Sequence, residues 1–255
     1  MPTVSVLGNS VFYEEIGEGK PIVFVHGACE NAQFWNHQRS LADRFRLLFV
    51  DLPGHGRSKP FANGEVTVQN YSSIISELIK AKCPEKAVLV GHSMGGAITL
   101  LNAIENRDNL KAAVLVATGA KLGVLPSIRE GLRTRFDETV KSVLAPRQFA
   151  STTNLEIIRF VTNEMMRCKG VVASSDYEAC NGFDVRQKLA TISLPILIMV
   201  GEEDKMTPVP WSVYMKENIP KAKLVVLKES SHLPMLERPA DFNRHLSEFV
   251  TSLPL

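Results

Sequence analysis

Short apolar runs separated by longer stretches of helical periodicity organise almost the whole chain. Val4–Leu7 and Val11–Glu15 predict an opening hairpin. Ile22–Val25, Leu47–Val50, Val88–Val90, Ala113–Val116, Ile196–Val200 and Leu224–Leu227 predict further strands, about eight in all. Between them, Ala32–Asp43, Thr67–Lys80, Met94–Glu105, Pro208–Glu217 and Pro239–Thr251 predict helices. The third of these is apolar nearly all round, through Ala97, Ile98, Leu100, Leu101, Ala103 and Ile104, and is expected to be central and buried. Strands that are apolar throughout must be covered on both faces, which strand–helix alternation achieves. The pattern therefore predicts an α/β fold with a mostly parallel sheet flanked by helices.

The alternation stops after Thr118, and no convincing strand returns until Pro195. Ser127 and Thr153, each followed three residues later by a glutamate, offer capping side chains, and Asp184 offers a similar helix start. Apolar residues recur at Ile128, Leu132, Phe136, Val140 and Leu144, and again at Leu155, Ile158, Val161 and Met165. The expectation is a helical cap over residues 121–190, with the core made of 1–120 and 191–255 and hinges at Gly119–Gly123 and Ala190–Pro195. The cap should lie over the carboxyl edge of the sheet.

A length of 255 residues suits one large domain with an insertion. The formal net charge of +2 and the lack of any Lys/Arg run argue against a nucleic-acid or anionic-membrane partner. No apolar stretch approaches the roughly 20 residues of a membrane span. The four cysteines show no CxxC spacing, and the first residues lack a basic segment followed by an apolar one. A soluble, cytoplasmic chain with free thiols is expected, without metal or cofactor, as a monomer or a homodimer.

The candidate chemistry begins at Gly91-His92-Ser93-Met94-Gly95, a serine between glycines where a predicted strand meets a predicted helix. Such a turn strains the backbone and lifts a hydroxyl clear of the sheet. A serine hydroxyl becomes a useful nucleophile only when a base removes its proton and a third group orients that base. Asp204, in the loop after the Ile196–Val200 run, is the candidate orienter, with Glu202 and Glu203 as alternatives. His232, in the loop after the last strand, is the candidate base. An oxyanion would need two N–H donors, and the backbone N–H groups of Met94 and Ala28 are the candidates, with Cys29 as the fallback for the second. His92 should point away from Ser93. His26, His55 and Asp51 sit in tight turns and are expected to be structural, and Cys29 has no evident partner.

These motifs, together with Asp51-Leu52-Pro53-Gly54-His55-Gly56-Arg57-Ser58 and Glu237-Arg238-Pro239, make the chain resemble the α/β-hydrolase fold superfamily over essentially its whole length. Within it the chain is most similar to small carboxylesterases and 3-oxoadipate enol-lactonase-like enzymes. The resemblance implies a cap after the sixth strand and a Ser–His–Asp triad at Ser93, His232 and Asp204. Ser230-Ser231 departs from it, standing where many relatives have a glycine, so that loop is expected to be stiffer.

The expected activity is hydrolysis of a small-molecule carboxylic ester through an acyl-enzyme. Lactonase, thioesterase, carbon–carbon bond hydrolase and cofactor-free perhydrolase chemistry are alternatives on the same triad. An acyltransferase and a non-catalytic ligand receptor stand further off.

Overall fold

The computed structural model describes residues 2–62 and 65–254. Eight strands form one sheet in the order β1-β2-β4-β3-β5-β6-β7-β8. They are β1 (Thr3–Val6), β2 (Asn9–Ile16), β3 (Pro21–Val25), β4 (Arg46–Val50), β5 (Ala87–His92), β6 (Leu110–Val116), β7 (Ile196–Gly201) and β8 (Ala222–Leu227). β2 pairs antiparallel with β1 and β4, and every later pairing is parallel.

Side-chain alternation along each strand divides the core in two. Val23, Val25, Leu89 and Leu115 face one side, where Ile74, Leu78, Ile98 and Leu101 cover them. Ile22, Phe24, Val90 and Val114 face the other, against Trp35, Phe242, Leu246 and Phe249. The covering helices on the first side include α1 (Val68–Lys82) and α2 (Met94–Glu105), the latter with Ala97, Ile98, Leu100, Leu101 and Ala103 all buried as its composition requires.

Between β6 and β7 the chain is helical: α3 (Pro126–Thr134), α4 (Phe136–Thr139), a π-helical segment at 140–144, α5 (Ala145–Arg147), α6 (Leu155–Met166) and α7 (Gly170–Asn181). The remaining α-helices are α8 (Val209–Asn218), α9 (Pro234–Glu237) and α10 (Pro239–Ser252). None of the helices among the described residues is long and apolar enough to cross a membrane.

Several local expectations are corrected. The apolar series from Ile128 to Leu144 is not one helix, because Arg135, at φ −144° and ψ 56°, breaks it between α3 and α4. Ser127 does not cap α3: Pro126 already occupies its first turn, where the missing N–H costs nothing. Thr153 does not cap α6 either. Asn154 does, accepting from the Glu156 N–H at 2.7 Å, while Leu155 stays exposed. Ala32–Asp43 is helical as expected, in the form of a 3₁₀ helix kinked at Trp35. That kink seats the Trp35 ring against Phe24, with centroids 5.1 Å apart.

Candidate active site

β3, β5, β7 and β8 all end at the same edge of the sheet, so the segments that follow them converge. Ser93 follows β5 directly and adopts φ 52° and ψ −114°. Such a conformation costs a side-chain-bearing residue about 1–3 kcal/mol. It is held by three hydrogen bonds: the Ser93 N–H donates to Val116 O at 2.9 Å, and the Thr118 hydroxyl and the Ala97 N–H donate to Ser93 O at 2.8 and 3.1 Å. At about 1 kcal/mol net each, these offset the strain. The flanking glycines are required by space rather than by dihedral freedom. A Cβ on Gly91 would run into the carbonyl of Gly95, and one on Gly95 into the carbonyls of Val25 and His26.

Asp204 lies buried on the loop after β7, where the N–H groups of Met206 and Thr207 donate to its Oδ1 at 2.8 and 2.9 Å. The Thr207 hydroxyl donates to Oδ2 at 2.7 Å, and His232 Nδ1 lies 3.0 Å from the same oxygen. Burial alone would raise this carboxyl, but the His232 charge and the hydrogen bonds from His232 and Thr207 hold it below its ordinary value. The ionised carboxylate can only accept, so the proton of His232 sits on Nδ1 and Nε2 is left with its lone pair. Burial would lower His232, yet the Asp204 charge and hydrogen bond raise it above its ordinary value. Glu203 is turned elsewhere, accepting from the Ser151 N–H at 2.9 Å, so Asp204 alone reaches the histidine.

Ser93 and His232 line one cavity of about 260 Å³, together with Ala28 and Thr207. The apolar part of its wall includes Leu122, Val124, Ile128, Leu144, Met206 and Trp211. Four of these belong to the stretch between β6 and β7, so that stretch covers the cavity. Among the described residues the Ala28 and Met94 N–H groups have no protein acceptor, and Met94 opens α2 immediately after Ser93.

Both serines of the histidine loop are hydrogen-bonded to backbone carbonyls. Ser230 Oγ donates to Leu227 O and Ser231 Oγ to Glu203 O, each at 3.0 Å, and the left-handed residue of this loop is Glu229, at φ 51°. Glu237 clamps it from below, accepting from the Ser231 N–H at 2.7 Å and the Ala150 N–H at 2.8 Å. His26 is structural as expected. The Leu52 N–H donates to its Nε2 at 3.0 Å, and burial pushes its pKa well below the ordinary value. Asp51 holds its turn by accepting from the Ala32 and Arg57 N–H groups at 2.8 and 2.9 Å.

Sequence reasoning missed Glu30. It is buried at the edge of the cavity, accepts from the Gly27 N–H at 2.7 Å, and lies 3.0 Å from His92 Nδ1. No motif marks it, because its side-chain partner, His92, is distant in the chain. Sequence reasoning also missed the ion pair of His55 Nε2 with Asp176 Oδ2 at 2.7 Å, to which the Tyr71 hydroxyl adds a 2.8 Å bond. Burial opposes a charge on His55, but Asp176 overcomes it and raises the imidazole to about 9.

A model of the alpha/beta hydrolase family matches residues 22–245, and the chain belongs to that family. It is an esterase-like enzyme within it. The pimeloyl-[acyl-carrier protein] methyl ester esterase of Proteus mirabilis is 27% identical over 271 residues, 97% of this chain and 99% of that protein. Among solved structures, a thermophilic esterase is 32% identical with a TM-score of 0.87, covering 98% of this chain and 96% of its own. The enol-lactonase of Burkholderia xenovorans shares the fold, at TM-score 0.92 and 24% identity over 98% of this chain and all 100% of the other.

Proposed function

We propose that this enzyme hydrolyses small carboxylic esters through an acyl-enzyme formed on Ser93. The observation that carries the reading is the His232–Asp204 hydrogen bond, 3.0 Å long, on the wall of the cavity that Ser93 also lines. In this reading His232 Nε2 takes the Ser93 proton as Oγ attacks the carbonyl. The N–H groups of Ala28 and Met94 hold the oxyanion, the second with help from the α2 dipole. His232 then gives the proton to the leaving alcohol, and water repeats the sequence to release the acid. Among the described residues Ser93 Oγ makes no hydrogen bond to His232, a contact that often tightens only when substrate is bound. The acyl group lies against the apolar wall, under a cap over 121–190 that opens at Gly119–Gly123 and Ala190–Pro195.

The test is turnover of p-nitrophenyl esters of increasing acyl length. Ser93→Ala should fold normally and lose activity by roughly four to six orders of magnitude. Wild-type-like turnover in that variant would overturn the nucleophile.

A second reading, an acyl ester borne on an acidic carrier protein, is favoured by Arg147 and Lys205. Both are exposed, both line the cavity, and neither makes an ion pair among the described residues. It also agrees with the name of the Proteus mirabilis relative.

A further inference from the structure

The catalytic cavity borders a second one. This outer cavity, of about 360 Å³, is lined by Ala120, Lys121, Gly123, Arg186, Trp211 and Tyr214, and of these Gly123 and Trp211 also line the cavity of Ser93 and His232. The two border residues differ in what surrounds them. Trp211 stands in the first turn of α8, where its N–H donates to Pro208 O at 2.8 Å, and its ring is seated on Gly119. A Cβ at Gly119 would lie 2.8 Å from Trp211 Cε3, so only glycine leaves room for that ring. Gly123 is exposed, its φ lies outside the left-handed region, and a Cβ added to it would meet nothing within 4 Å. One border is thus a ring held in place, and the other is open space where a side chain could stand and none does.

The chemistry of the outer cavity is aromatic. Trp211 and Tyr214 are three residues apart on α8 and share a face of it, and Tyr214 is an exposed aromatic. Lys121 and Arg186 are both paired with Asp184, at 3.8 and 2.7 Å, so neither stands as a free cation. The two rings are what remains to meet a ligand.

We propose that the outer cavity is a subsite for a long apolar acyl chain, which leaves the catalytic cavity across Gly123 and lies against Trp211 and Tyr214, and that the missing side chain at position 123 sets how long a chain the enzyme accepts. The effect on turnover rests on the esterase reading above; binding of the chain does not.

Size and continuity favour this occupant. The catalytic cavity, at about 260 Å³, falls below the roughly 300–1,000 Å³ of most ligand pockets, so a long chain needs room beyond it. Trp211 belongs to the apolar wall on which the acyl group rests in that reading, so a chain that follows this wall arrives at the border. Each methylene that crosses and is covered by the rings raises kcat/KM by up to about fourfold. Position 123 touches no reacting atom, and it acts on chain length alone.

The experiment measures kcat/KM for p-nitrophenyl esters from acetate to decanoate, and for acetate esters of alcohols of increasing length. In wild type kcat/KM should rise along the acyl series and stay level along the alcohol series. Gly123→Leu fills the open space without strain and should cut the decanoate-to-acetate ratio about tenfold or more, with Gly123→Ala in between. A ratio that Gly123→Leu leaves in place, or a length dependence that follows the alcohol instead, overturns the subsite. If wild type turns over none of these esters, the esterase reading fails and the subsite is read by binding. Decanoate, but not acetate, should then shift the tryptophan fluorescence of Ser93→Ala, because Trp35, the other tryptophan of the chain, is buried in the core. Trp211→Phe in that background should abolish the shift. No shift with decanoate, or one that survives Trp211→Phe, overturns the proposal.

Discussion

His92 Nε2 lies 2.8 Å from the backbone carbonyl of His232, and because a carbonyl only accepts, the imidazole donates there. The residue before Ser93 therefore supports the loop that carries the proposed base. Its other nitrogen meets Glu30, which in turn takes the Gly27 N–H, so one buried bridge runs from the turn after β3 to the histidine loop.

That bridge should set geometry rather than react. Replacing Glu30 by Ala leaves Gly27 and His92 without a partner and should lower kcat by roughly 10²-fold with a smaller change in KM. Glu30→Gln keeps an acceptor for Gly27 and should recover most of the loss. Steady-state kinetics on one ester, with both variants side by side, checks this; equal losses in the two would mean that the carboxylate does more than position.

The raised pKa of His232 has a direct kinetic consequence. A general base works only when neutral, so kcat/KM should fall on the acid side through an apparent pKa above the ordinary histidine value of 6.5. Asp204→Asn removes the charge that raises it. The remaining activity, lower by roughly 10⁴-fold, should have its acid limb displaced to lower pH. The pH profiles of wild type and variant provide the measurement.

The His55–Asp176 pair should be visible in stability rather than in rate. Its imidazole titrates at about 9 in the folded chain against 6.5 unfolded, so its stabilisation is fully present below about 6.5 and is lost as pH rises through 9. Asp176→Asn leaves a buried cation without its counter-charge and should cost roughly 3–5 kcal/mol at pH 6.5. Urea midpoints at pH 6.5 and 9.5 should converge between wild type and variant at the higher pH.

Gly95→Ala tests the packing behind the nucleophile turn. In an open helix the change would stabilise by about 1 kcal/mol. Here the new methyl meets the carbonyls of Val25 and His26, so the sign should reverse, with a net loss of roughly 2 kcal/mol or more. Because the same carbonyls begin the oxyanion turn, ester turnover should fall as well. Chemical denaturation and a rate assay on one preparation would show both.

The sequence by itself determined what depends on neighbours in the chain. Apolar runs of strand length, the glycines at 91 and 95, and an acid and a histidine each just beyond a strand were enough for the sheet and for naming Ser93, Asp204 and His232 as candidates. Strand direction and turn geometry are local, and a parallel sheet brings the ends of its strands to one edge whatever else the chain does. Only the tertiary structure decided the rest. Asp204 rather than Glu203 faces His232 because Ser151, from the α5–α6 connection, draws Glu203 away. Glu30 meets His92 because β3 and β5 are neighbours in the sheet, and His55 meets Asp176 because the segment between β6 and β7 folds back over the sheet edge. Those partners lie far apart in sequence, with no periodicity or spacing to join them, and long-range packing alone brings their side chains into contact.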